Sequence, residues 1–104
     1  MLVTMKEILD RASAENYGVA APNIFSELDA RAFIEAAEEV NAPLILDVAF
    51  LVEDKYHLGY IARELARCAS VPVAINLDHG ANMTHVFQSI QAGFTSVMID
   101  CSTM

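Results

Sequence analysis

Val71-Pro72-Val73-Ala74-Ile75-Asn76-Leu77-Asp78-His79-Gly80 is the stretch on which the fold turns. Its first half is an apolar run rich in β-branched residues, the composition of a strand covered on both faces in a parallel sheet. Its second half sets a carboxylate beside an imidazole where the run expires. In parallel α/β folds that end of a strand carries the chemistry. An Asp there can act as a general base, and a His as a metal ligand. Adjacent strand residues point to opposite faces, so Asp78 and His79 share one site only if the backbone turns, and Gly80 suggests that turn. On spacing alone, Asp78 as a cap of the next helix and His79 as a loop residue stand beside this reading.

Outward from this strand, helix and strand signals alternate with little linker. Thr4-x-x-Glu7 is a capping box, stapled by Val3 and Ile8, and predicts a helix to about Glu15. Residues 17–23 read as a first strand, ended near Pro22. Ser26 caps a helix with Ala30, Phe33, Ile34, Ala37 and Val40 at helical spacing, stopped by Asn41 and Pro43. Residues 43–49 form a second strand. Asp54 opens a helix with Leu58, Ile61, Ala62, Leu65 and Cys68 on its apolar side. Residues 71–77 are the third strand. Asn82 caps a helix containing Met83, Val86, Phe87 and Ile90, closed by Gly93, and residues 96–100 are the fourth strand. The order, a helix and then β-α-β-α-β-α-β, predicts an α/β fold with a parallel sheet and right-handed crossovers. Four strands are half of an eight-stranded barrel. Such a half exposes two sheet edges and an apolar interior, which predicts a larger parent fold, a self-associated assembly or an incomplete chain.

Composition narrows the function classes. A chain of 104 residues, 55% hydrophobic and 19% charged, makes one small globular domain and is not disordered. The net charge of −8 gives no basic footprint for nucleic acid. Lys6, Arg11, Arg31, Lys55, Arg63 and Arg67 all fall in predicted helices and form no cluster to hold a phosphate. Backbone amides or residues outside this chain must do so. Cys68 and Cys101 are far apart and read as reduced thiols. The start lacks the apolar core of a signal peptide, and no apolar run approaches the roughly 20 residues that span a bilayer. These features predict a soluble cytoplasmic protein with no membrane partner.

Asp100 and Asn23 end the fourth and first strands on the same rim as Asp78. Asp100 there can ligate a metal, orient a ligand or bond a loop amide, and Asn23 is also a ready turn former. His57 and His85 lie in helices and read as solvent-facing, and Glu35, Glu38 and Glu39 as a solvated helix face. The chain has no His-Glu-x-x-His helix, P-loop or Gly-x-Gly-x-x-Gly fingerprint.

Taken together, Ala36-Ala37-Glu38-Glu39, Pro43-Leu44-Ile45-Leu46, the stretch 71–80 and Ala92-Gly93-Phe94-Thr95-Ser96-Val97-Met98-Ile99-Asp100 resemble the N-terminal half of the class II fructose-bisphosphate and tagatose-bisphosphate aldolases. The resemblance covers essentially all of residues 1–104. It implies a TIM (β/α)8 barrel of which this chain holds about the first four β/α units. It implies zinc-dependent, reversible aldol cleavage of a ketose 1,6-bisphosphate to two triose phosphates, in a family that forms homo-oligomers. It implies that His79 is a ligand of the catalytic zinc and Asp78 the acid/base group for the aldol hydroxyl. Asp100 matches an acidic position associated with a second metal site, and Asn23 an Asn near the substrate. The resemblance implies that zinc would supply a Lewis acid for the substrate carbonyl, so that no Schiff-base lysine would be required.

The chain departs from that pattern in places. Asn76 stands where many relatives have His. Asp47-Val48-Ala49-Phe50 lacks the hydroxyl of a Gly-x-Ser-type run, and Leu51-Val52-Glu53 replaces a glycine-rich continuation. The remaining zinc-binding histidines belong to the family's second half, and a catalytic zinc takes three protein ligands. The 104 residues alone are therefore expected to be inactive. A truncated or degenerate paralogue, acting as a non-catalytic assembly or regulatory module, is the alternative.

Overall fold

The computed structural model describes residues 1–49 and 54–103. The expected order is present except for the first of the four strands: α1 (Met5–Glu15), α2 (Glu27–Glu39), β1 (Leu44–Ala49), α3 (Lys55–Cys68), β2 (Val73–Gly80), α4 (Met83–Gln91) and β3 (Ser96–Ile99). Thr4, Ser26, Asp54 and Asn82 each accept a backbone N–H from the first turn of the helix they precede, as their side-chain oxygens dictate. Gly93, at φ 94°, follows the C-cap of α4 in the left-handed conformation that favours glycine. Phe50-Leu51-Val52-Glu53, singled out in the sequence, lies outside the described residues.

The sheet is parallel, in the order β1-β2-β3. β1 and β2 run in register from Leu44↔Val73 to Ala49↔Asp78. The expected first strand lies along the free edge of β1 but is reduced to two bridges, Ala20↔Leu44 and Asn23↔Asp47. The Ile45 N–H donates to the Ala20 carbonyl at 3.0 Å and the Asp47 N–H to the Pro22 carbonyl at 2.9 Å. Pro22 has no N–H to return, so the ladder breaks at the proline that was expected to end the strand.

Alternation along the strands separates two faces. Leu44, Leu46, Val48, Val73, Ile75 and Leu77 face α2, α3 and α4, where they meet Ile34, Ala37, Leu58, Ala62, Ala66 and Val86 in the main core. Leu46, Val48, Ile75 and Leu77 are fully buried. Each such side chain contributes about 1.5–3 kcal/mol on leaving water. The opposite face is covered near the strand starts by α1, whose Ile8 packs on Ile45 and Ala74 with Val3, Met5 and Val19 around them. Gly59 lets α3 approach α4: a Cβ there would lie 2.9 Å from Ala92 Cβ, from the Ala92 carbonyl oxygen and from Phe94.

Three sequence expectations need correction. Within the predicted stripe of α4 only Val86 is buried; Met83, Phe87 and Ile90 are each more than half exposed, and the sheet-facing side is Val86 with Ser89. Val40 caps α2 from solvent, and Cys68 ends α3 exposed. Lys55, in α3 as expected, is buried at its start. No helix among the described residues is long and apolar enough to cross a membrane.

Candidate active site

The end of β2 is irregular. Leu77 pairs with Val97 and Gly80 with Ile99, so Asp78 and His79 together oppose Met98 alone. This bulge inserts one residue and re-aims the strand. His79 takes up the distortion at φ 54°, a left-handed conformation uncommon outside glycine and, among other residues, commonest for Asn, Asp and His. The turn expected at Gly80 therefore lies one residue earlier, at His79 itself, and gathers Asp78 and His79 on one rim.

There the imidazole is held from two sides. His79 Nδ1 is 2.7 Å from Asp100 Oδ2, and Nε2 is 3.8 Å from Asp78 Oδ2. Asp100 is placed by its own N–H, which donates to the Gly80 carbonyl at 2.9 Å. Its second carboxylate oxygen accepts the Ser102 N–H, also at 2.9 Å. Hydrogen bonds from Ser102 and then from His79 hold the Asp100 carboxyl well below the usual carboxylate range. The hydrogen bond to Asp100, and then the charge of Asp78, push the His79 imidazole above its ordinary value. The Asp78 side chain is about four-fifths buried and His79 about half, so the site opens at the ring.

Below this rim a polar row crosses the sheet. Asn23, Asp47, Asn76 and Ser96 are successive register partners, and so share one face. Asn76 Nδ2 donates to Asp47 Oδ1 at 2.9 Å, and burial pushes the Asp47 carboxyl up. Asn23 is exposed at the open end of the row, beside Asp47 and away from the His79 cluster. Sequence reasoning did not single out Asp47, which stands in this row. The signal was a charge inside an otherwise apolar strand, on the parity of the site face. His57 is exposed as expected. His85 is only partly exposed, because its Nδ1 accepts the Ala81 N–H at 3.2 Å in the first turn of α4.

The donor set fits part of a metal centre. A metal-binding histidine commonly gives its second ring N–H to a carboxylate, which fixes the tautomer. Asp100 stands in that position beside Nδ1, an arrangement that leaves Nε2 able to offer its lone pair to a metal. Among the described residues no group of three His, Cys, Asp or Glu can hold a metal. His79 offers one nitrogen of that kind, short of the three protein ligands that a catalytic zinc takes.

The sequence and the fold agree with known proteins. Residues 3–104 match the family described as fructose-bisphosphate aldolase class-II. The fructose-bisphosphate aldolase of Thermus caldophilus is 46% identical over 105 residues, covering 98% of this chain and 34% of that protein. The 6-phospho-5-dehydro-2-deoxy-D-gluconate aldolase of Halalkalibacterium halodurans is 40% identical over 109 residues, covering 97% of the chain and 37% of that protein. The crystal structure of the YdjI aldolase from Escherichia coli K12 superposes with a TM-score of 0.90 at 26% identity, over all of this chain and 40% of that one. The chain thus spans little more than a third of the length of these relatives, and it belongs to the class II fructose-bisphosphate aldolase family.

Proposed function

We propose that residues 1–104 are the N-terminal half of a zinc-dependent aldolase built as a TIM barrel, of which they form the first four β/α units. The reaction is reversible aldol cleavage of a phosphorylated ketose, with fructose or tagatose 1,6-bisphosphate as the first candidates. The observation that carries this reading is the bulge at Asp78-His79, which places a carboxylate, an imidazole and the Asp100 carboxylate within one strand-end cluster. Zinc, when bound, supplies a Lewis acid for the substrate carbonyl. His79 offers Nε2 to it, and Asp100, at the position associated with a second metal, holds the ring through Nδ1. Asp78 takes the proton from the hydroxyl at the cleaved carbon and returns it in the condensation direction. Asn23 stands beside the substrate at the open end of the polar row. The H. halodurans relative carries a different substrate name at an identity close to the others. Substrate choice therefore resides in details such as Asp47 and Ala49 rather than in the shared frame. Cytoplasmic location and homo-oligomer formation accompany this reading.

A chimera tests it. Residues 1–104 replace the corresponding part of the T. caldophilus aldolase, and zinc-dependent cleavage of each bisphosphate is measured. Cleavage that is lost in Asp78→Ala and His79→Gln supports the proposal. A folded chimera without cleavage overturns it. The half-exposed Met83, Phe87 and Ile90 favour, as a second reading, a non-catalytic assembly module. A discrete, closed oligomer of the 104-residue chain in light scattering supports that reading, and a monomer refutes it.

A further inference from the structure

The polar row beneath the catalytic rim contains a group that the aldol chemistry described above does not use. Asp47 sits in the middle of β1 with fully buried Leu46 and Val48 on either side, and its carboxylate faces the site. Asn76 is only 6% exposed and spends its Nδ2 on Asp47 Oδ1 at 2.9 Å, while its own carbonyl oxygen has no partner among the described residues. Exchanging the amide's ends would set two acceptors against each other, so an ionised Asp47 dictates the orientation that leaves the carbonyl unmatched. A buried unmatched acceptor is destabilising. The fold tolerates that loss to hold one carboxylate in place, and locally unfavourable choices of this kind mark function more often than packing.

We propose that Asp47, positioned by Asn76, is a specificity-determining acceptor that takes a hydroxyl group of the ligand. This rests on the aldolase reading and deepens it. The second Asp47 oxygen is engaged by no donor among the described residues. It can only accept. Asp78 lies one residue pair further along the same face, so two carboxylates repel an anion from this part of the rim. A phosphate or carboxylate is excluded there, and an O–H of the ligand's uncharged middle is the matching donor. The exposed Asn23 amide, in register on the other side of Asp47, extends the same row.

The test uses the 104-residue chain and its Asp47→Asn variant, which keeps the acceptor for Asn76 and removes the charge. Xylitol serves as the uncharged polyol probe, inorganic phosphate as the anion and magnesium as a cation, with backbone amide shifts as the readout. Xylitol is expected to move Asp47, Asn76 and Asp78 in the wild type and to bind about ten-fold more weakly to the variant, the loss of a hydrogen bond to a charged group. The variant is also expected to melt no lower than the wild type, since a binding carboxylate in this place does not serve the fold. Equal xylitol binding by both proteins, no xylitol shifts at all, phosphate or magnesium moving these amides in place of xylitol, or a destabilised variant each overturns the proposal. Zinc added separately reports on the His79 ring. A silent ring counts against the aldolase reading and leaves the Asp47 result standing.

Discussion

Gly59 gives the sharpest quantitative prediction. It is buried where α3 crosses close to the end of α4, and a methyl group there would meet Ala92 Cβ, the Ala92 carbonyl oxygen and the Phe94 ring, all at 2.9 Å. One of the three is backbone and cannot rotate away. Forcing a methylene into such a contact costs about 1–3 kcal/mol. Replacing glycine by alanine inside a helix returns about 1 kcal/mol. The net expectation for Gly59→Ala is a loss of about 1 kcal/mol, or roughly 4–8 °C in Tm for a domain of this size. Gly18 supplies the control, since a methyl group there meets nothing within 4 Å. Gly18→Ala is therefore expected to be neutral or to stabilise by about 0.4–1 kcal/mol through the unfolded chain. Thermal unfolding followed by far-ultraviolet circular dichroism reads both variants on one scale. A Gly59→Ala protein that melts at or above the wild type would refute the close α3–α4 approach and the overpacking argument with it.

Other expectations concern the site more directly. Because His79 sits at φ 54°, His79→Gly is expected to melt above His79→Ala, the reverse of the order at a regular strand position; the opposite ranking sinks the strained bulge. Thr95 Oγ1 accepts the Ile75 N–H at 3.0 Å, so Thr95→Val leaves a buried donor unmatched and is expected to lose about 1–3 kcal/mol in urea unfolding; an unchanged midpoint contradicts the assignment. In the metal-free chain the His79 ring is expected to titrate above 6.5 in proton NMR, and Asp100→Asn to bring it down. The raised imidazole makes the pair's contribution to stability complete below pH 6.5 and lost as pH climbs through the folded value. The depressed Asp100 makes that contribution present above pH 3.8 and lost as pH falls through its folded value. Stability from this pair is thus confined to the window between the two, and a His79 titration unmoved by Asp100→Asn is the contrary result.

The fold was legible where local chemistry decides it. Thr4, Ser26, Asp54 and Asn82 announce helix starts because each offers an oxygen to an otherwise unmatched N–H, and all four do so in the structure. Two features were not legible, because they depend on neighbours. Residues 17–23 looked like an ordinary strand, yet the missing N–H of Pro22 matters only once β1 is known to lie alongside. The apolar stripe of α4 gave the right helix with a rotated buried face, since β2 and α3, not periodicity, select Val86 and Ser89. At the site, Asp78, His79 and Asp100 stood out as polar residues at strand ends. The bulge that unites them did not, because nothing in Leu77-Asp78-His79-Gly80 states that β3 is one residue short. Asp47 escaped notice for a similar reason: its partner Asn76 is 29 residues away, across a register that only the sheet reveals.

The alternation in β2 has a consequence for how this protein can change over generations. Val73, Ile75 and Leu77 are all fully buried toward the helices, while Asn76 and Asp78, alternating with them, lie on the opposite face. Mutations thus fall into two nearly independent classes within a span of six residues. Substitutions at the odd positions act on the hydrophobic core, and those at the even positions above Ala74 act on the opposite face, where the proposed site lies. Asn76, and Asp47 opposite it, can therefore be replaced without removing any side chain from the hydrophobic layer behind them.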